Sequence, residues 1–229
     1  MDKEAKLNLT HLVRRATSPG TEETKGPGIL LLHGRGADEA DLMGLAAALD
    51  PRLTVVSPRA PFRLGPGFAW YGMSEVGKPD DTMNTSLTEL RRFITGVLPA
   101  YNIAPDRLFL MGFSQGAVMS SAVALTMPEA IQGVVMHSGY IPVNSGLEFR
   151  VEEAVGKPFF VAHGIYDQVI PIKFGRQSYA YLTSIDARTT YQEYPIAHSI
   201  SEESLYDFSE WLTRELDSQS GQGDQDQTA

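Results

Sequence analysis

The sequence predicts an α/β fold in which a mainly parallel central sheet carries helices on both faces, and three observations lead there. Short apolar runs stop abruptly at glycine, proline or histidine, the segments between them have apolar residues at helical spacing, and the two patterns alternate along the chain. Continuous apolar runs suit strands buried on both faces, and parallel strands need crossover connections of the kind helices supply.

After a short alternating segment from Leu7 to Arg15, the polar stretch S-P-G-T-E-E-T-K-G-P-G reads as a connection, and I-L-L-L-H-G then begins the first buried strand. L-T-V-V-S-P, R-L-F-L-M-G and P-F-F-V-A-H-G repeat its character, and G-V-V-M-H is strand-like as well. T-T-Y-Q-E-Y-P is the last predicted strand. Leu87, Leu90, Ile94, Val97 and Leu98 mark one amphipathic helix and Leu205, Phe208 and Leu212 another. In such folds sites gather beyond the carboxyl ends of the strands. Here those ends read H-G-R-G-A-D, G-F-S-Q-G, H-G-I-Y-D and A-H-S-I, so four separate stretches are expected on one rim.

Composition bounds the rest. With 229 residues, 42% of them hydrophobic, residues 1–216 are expected to form a single domain. The end, D-S-Q-S-G-Q-G-D-Q-D-Q-T-A from Asp217, has little to bury and is expected to be a disordered tail over 217–229. A net charge of -9 without a basic, aromatic-interleaved cluster argues against nucleic acid and against stable association with anionic membranes. No apolar run approaches the roughly 20 residues needed to span a bilayer. The absence of cysteine removes disulfides, thiolate metal sites and a cysteine nucleophile, and no H-E-x-x-H or comparable cluster implies a metal or other cofactor. The opening M-D-K-E-A-K-L-N-L-T lacks the apolar segment of a secretory signal, so a cytoplasmic location is expected.

The segment L-M-G-F-S-Q-G-A-V places Ser114 between Gly112 and Gly116, where a strand gives way to small, helix-tolerant residues. With 21 glycines in the chain, G-x-S-x-G alone is a weak signal. Its setting is stronger, because a sharp strand-to-helix turn exposes the serine only if its flanks are small. A serine hydroxyl also needs a base to take its proton, oriented by a carboxylate. Of five histidines, His11 lies before the connection, His33 opens a glycine turn, His137 ends a strand and His163 sits in the turn H-G-I-Y-D. His198, on the loop between the last strand and the S-I-S-E start of the terminal helix, is the preferred base. Asp167 follows P-F-F-V-A-H-G and is the preferred acid, whereas Asp38 and Asp41 read as helix-start residues. Backbone donors for a developing oxyanion are expected from Gln115, the residue after the serine, and from Arg35 in the turn His33-Gly34-Arg35-Gly36, with Gly36 behind it.

Taken together and in this order, H-G-R-G-A-D, G-F-S-Q-G, H-G-I-Y-D-Q-V-I-P and H-S-I resemble the small carboxylesterase and phospholipase-type family of α/β-hydrolases, over about Gly28 to Leu216. The resemblance implies a cap-less α/β-hydrolase with Ser114 as nucleophile, Asp167 as acid, His198 as base and oxyanion donors at Arg35 and Gln115. Two positions depart from the family pattern. Ala197 stands before the base where glycine is usual, and Arg35 follows His33-Gly34 where the thioesterase branch often has leucine. The second departure favours a bacterial-type carboxylesterase acting on short- to medium-chain esters through an acyl-enzyme. An acyl thioesterase or lysophospholipase with the same triad is the rival within enzymes, and a catalytically silent hydrolase-like binding protein the rival outside them. The partners implied are a small-molecule ester and, at most, a second copy of the chain.

The long connection R-A-P-F-R-L-G-P-G-F-A-W-Y-G-M-S-E-V-G-K-P-D-D is rich in aromatics and too long to be a simple tie. One reading sets Trp70 and Met73 beside Ser114 as an apolar acyl wall, with Phe113 and Ile170 as neighbours. The other packs Phe68, Trp70 and Tyr71 down as a local cluster.

Overall fold

A computed structural model describes residues 7–18 and 24–220. The strands are β1 (His11–Arg14), β2 (Gly26–Leu32), β3 (Thr54–Pro58), β4 (Phe62–Leu64), β5 (Gly67–Ala69), β6 (Met73–Glu75), β7 (Lys78–Pro79), β8 (Ile103–Phe113), β9 (Gly133–His137), β10 (Pro158–Gly164) and β11 (Arg188–Tyr194). The α-helices are α1 (Thr82–Ala100), α2 (Gln115–Thr126), α3 (Lys173–Ser184) and α4 (Glu202–Ser220). Among the described residues, seven strands form the main sheet in the order β1-β3-β2-β8-β9-β10-β11. Only β1 runs antiparallel, pairing with β3.

The apolar runs behave as the pattern requires. Successive residues of β2 divide between the two faces: Leu30 and Leu32 pack with α1, α2 and α3, while Ile29 and Leu31 pack with Leu42 and Ala46 of a 3₁₀ segment and with Phe208, Trp211 and Leu212 of α4. Two helical layers thus cover one twisted sheet, a mostly parallel α/β architecture. After β2 the chain places β3 on one side and later β8 on the other. The carboxyl ends of β2 and β8 therefore form a topological switch point, the place where ligands bind in open α/β sheets.

Three expectations change in detail. The residues Asp38 and Asp41 precede a 3₁₀ segment, Leu42–Ala48, rather than a full α-helix. The long connection after β3 holds two small hairpins, β4–β5 and β6–β7. The helix α4 runs through Ser220, so residues 217–220 are helical where a tail was expected, and 221–229 lie outside the described residues. No helix among the described residues is long and apolar enough to cross a membrane.

Candidate active site

Ser114 sits in the turn between β8 and α2 with φ 54° and ψ -119°, a left-handed conformation that side chains adopt at a strain of about 1–3 kcal/mol. Hydrogen bonds hold it there. Its N–H donates to the His137 carbonyl at 2.9 Å, and its own carbonyl accepts the N–H groups of Ala117 and Val118 at 3.0 and 3.2 Å. The flanking glycines are sterically required: a Cβ on Gly116 would overlap the Leu32 carbonyl, and one on Gly112 the main chain of Gly116.

Asp167 and His198 converge on this serine from the loops after β10 and β11. Ser114 Oγ lies 2.9 Å from His198 Nε2, and His198 Nδ1 lies 2.7 Å from Asp167 Oδ2. The other carboxylate oxygen, Oδ1, accepts the N–H groups of Val169 and Ile170 at 2.9 and 2.8 Å, so the carboxylate is both buried and fixed in orientation. With Oδ2 accepting from Nδ1–H, the Nε2 lone pair is directed at the serine hydroxyl. The loops carrying Asp167 and His198 are joined by main-chain bonds, Ile165 N–H to Tyr194 O at 2.8 Å and Tyr166 N–H to Ile196 O at 3.0 Å. Gly164 makes this approach possible, since a Cβ there would overlap the carbonyls of Ala197 and Ile196. Alanine at 197 is accommodated in a turn whose carbonyl accepts Ser199 N–H at 3.0 Å.

The turn after β2 lies against the elbow: a Cβ built on Gly34 would stand 3.6 Å from Ser114 Cβ. Among the described residues, neither the Arg35 nor the Gln115 main-chain N–H is taken by a protein acceptor. The turn is braced from several sides. His33 Nδ1 donates to Gly34 O at 2.8 Å and its Nε2 accepts Ala60 N–H at 3.1 Å. Gly36 N–H donates to Phe68 O, and Phe68 N–H to Ala37 O, at 2.7 and 2.8 Å. The Gln115 side chain clamps the following segment, its Oε1 accepting Trp70 N–H at 2.8 Å and its Nε2 donating to Tyr71 O at 2.7 Å. These bracing roles of His33, Phe68 and the Gln115 amide were missed in the sequence. The main-chain bonds of Phe68 leave no trace in residue type, and only the polar His33 and Gln115 beside glycines offered a signal.

The residues expected to line an acyl pocket are not gathered on one wall. Trp70 is fully buried, and its indole N–H donates to the His33 carbonyl at 2.9 Å, so it lies beneath the turn His33-Gly34-Arg35-Gly36. Ile170 is buried under the acid, its carbonyl accepting from His163 Nε2 at 2.7 Å. Phe113 packs with its ring centroid 4.9 Å from that of His198. Met73 is half-buried at the start of the β6–β7 hairpin. That hairpin reaches across to α3, where a Cβ on Gly77 would contact Phe174 at 3.4 Å. Beside it an apolar cleft of about 310 Å³ is lined by Gly77, Tyr140, Ile141, Val143, Phe174 and Tyr181.

Three histidines around the site are buried, and burial, the largest influence on each, favours the neutral ring. It lowers the pKa of His33 and of His163, and pushes that of His137 down to about 3. A histidine whose folded pKa lies below its unfolded value stabilises the fold fully above the unfolded value of about 6.5 and loses that contribution as pH falls below it. Each such ring contributes a slope of up to about 1.4 kcal/mol per pH unit. Unfolding should therefore take up protons increasingly as pH falls from about 6.5 to 5, approaching one proton from His137 at the lower end with a further contribution from His33 and His163, and the melting temperature should drop across that window. Calorimetry in buffers of different ionisation enthalpy reads both quantities, and a melting temperature constant over the window would contradict neutral burial of these rings.

The sheet order, the helical layers and the strand-end site define an α/β-hydrolase, and the comparisons narrow it. The model of the phospholipase/carboxylesterase family matches residues 16–216. A probable carboxylesterase of Oryza sativa subsp. japonica is 29% identical over 206 residues, covering 82% of this chain and 77% of the relative. Acyl-protein thioesterase 1 of Candida albicans is 28% identical over 220 residues, covering 85% and 94%. The Bacillus cereus carboxylesterase crystal structure has the same fold, with a TM-score of 0.80 at 21% identity over 93% of this chain and 97% of that one. The chain belongs to the phospholipase/carboxylesterase family and is a serine hydrolase of the esterase and thioesterase type.

Proposed function

We propose that the chain is a carboxylesterase that hydrolyses short- to medium-chain esters through an acyl-enzyme on Ser114, as a single catalytic domain working in the cytoplasm on a small-molecule substrate. The observation that carries this reading is the line of hydrogen bonds from Asp167 through His198 to Ser114, at 2.7 and 2.9 Å. His198 Nε2 takes the hydroxyl proton as Oγ attacks the ester carbonyl, while Asp167 stabilises the imidazolium that forms. The negative charge on the carbonyl oxygen is received by the N–H groups of Arg35 and Gln115. The imidazolium returns its proton to the departing alcohol, leaving the acyl group on Oγ. Water then repeats the sequence, with His198 again taking and returning one proton, and releases the carboxylic acid.

Steady-state kinetics on matched esters and thioesters from acetyl to palmitoyl test this reading. The expected result is kcat/KM highest on the short and medium esters, with no jump in rate above the critical micelle concentration. A preference for palmitoyl thioesters would instead favour acyl-protein or lysophospholipid substrates.

Trp70 is fully buried, so the apolar cleft beside Phe174 is taken as the alternative seat for the acyl chain. Phe174→Ala should lower kcat/KM most for the longer accepted chains, because each methylene that loses its contact forfeits up to about 0.8 kcal/mol. Trp70→Ala should lower it by the same factor on acetyl and octanoyl esters, because its loss loosens the oxyanion turn shared by all substrates. Rates on an acyl ladder separate the two, and a length-dependent loss at Trp70 with none at Phe174 would return the acyl wall to the W-Y-G-M segment.

A further inference from the structure

We propose that His137 is a positioning residue that ties the loop carrying His198 to the nucleophile elbow. The inference rests on the reading of His198 as general base. His137 ends β9 and is wholly buried. Its main chain grips the elbow through the 2.9 Å bond from Ser114 N–H, and its ring reaches the other way, with Nε2 3.0 Å from Ser204 Oγ and Nδ1 3.1 Å from Ser138 Oγ.

Ser204 is the anchor of the base loop on its downstream side. Ser201 N–H donates to Ser204 Oγ at 3.0 Å and Ser204 N–H to Ser201 Oγ at 3.1 Å, closing the first turn of α4 three residues after His198. On the upstream side the loop is held by Tyr166 N–H to Ile196 O. Between these anchors the polar side-chain contacts of His198 are those to Asp167 and Ser114, the groups it must align. Aromatic packing completes the block. Phe113 stands opposite His137 in the β8–β9 register, and its ring centroid lies 5.8 Å from His137 and 4.9 Å from His198.

An apolar side chain could fill the space beside Phe113 and Tyr194 without burying polar nitrogens, which are unfavourable unless bonded. The imidazole adds the bonds to Ser138 and Ser204. One neutral tautomer satisfies every group: Nδ1 accepts the Ser138 hydroxyl, Nε2–H donates to Ser204 Oγ, and the Ser204 hydroxyl donates to Ser201 O at 3.1 Å.

The test measures kcat and KM for Ser204→Ala, His137→Phe and the double variant, each corrected for competent sites by active-site titration. A base that has lost its alignment slows acylation and deacylation alike, so kcat should fall about tenfold or more with KM nearly unchanged. The double variant should lose no more than the worse single one, because both remove the same tie. If His137→Phe fails to fold, Ser204→Ala alone carries the expectation. Unchanged kcat per titrated site in Ser204→Ala, or losses that multiply in the double variant, would overturn the inference. His198→Ala, measured alongside, separates the two readings. If it is nearly inactive while Ser204→Ala is normal, only the tie falls; if it retains wild-type kcat, the assignment of the base falls and the tie with it.

Discussion

Ser114→Ala should lower ester hydrolysis by about four to six orders of magnitude and abolish labelling by a fluorophosphonate, with the melting temperature little changed. The size of the effect follows from the geometry. His198 Nε2 lies 2.9 Å from the hydroxyl oxygen, and among the described residues no other hydroxyl is bonded to that nitrogen. Removing one oxygen from a side chain at the tip of the elbow takes away no packing, so stability should not share the loss. His198→Ala should come close to the same rate. His163→Ala should lose much less, because its ring supports the acid loop through the Ile170 carbonyl and stands 3.5 Å from Asp167 Oδ2 without touching the serine. Reversal of that ranking would transfer the base to His163.

Gly116→Ala should be strongly destabilising. A Cβ at this position would overlap the main-chain oxygen of Leu32 and crowd that of His33, and main-chain atoms in a central strand cannot rotate away. Separating α2 from β2 disturbs the elbow and the turn after β2 together, at a cost of about 3 kcal/mol or more. For a chain of this size that corresponds to a fall of roughly 6–12 °C in melting temperature. Thermal melts and ester kinetics on the same preparation check both halves. A variant with wild-type melting temperature and rate would mean that the strand and helix are less closely apposed at Leu32.

The parts of the fold that were legible in the sequence are those in which burial writes a pattern. The strands β2, β3, β8 and β10 are continuous apolar runs because both of their faces are covered, and α1 and α4 carry a single apolar stripe because one face is solvated. The helix α2 shows the reverse. Every residue from Gln115 to Thr126 is buried, so no stripe exists and only its place after the elbow marks it. The hairpins β4–β5 and β6–β7 have strands of two or three residues, too short for any period, and main-chain bonds such as Gly36 N–H to Phe68 O supply what holds the first of them.

In the site, the residue types at strand ends pointed to Ser114, Asp167 and His198, because each role demands a particular functional group at a particular turn. The bracing and packing residues carry no such demand. Trp70 is equally plausible from sequence as a pocket wall or as core, and only the bond from its indole to His33 O resolves which. His137 read as the end of a strand, which it is, while its link to Ser204 spans 67 residues and leaves no local trace. Arg35 is exposed, so the departure from leucine at this position changes the rim of the site rather than its core.

The most direct test of the central claim is to treat the wild-type protein with a fluorophosphonate and map the adduct by peptide mass spectrometry, with hydrolytic activity followed in the same samples. The account predicts one adduct per chain, on Ser114, with activity lost in proportion to labelling. An adduct on another residue, or full labelling of Ser114 with hydrolysis undiminished, would contradict it.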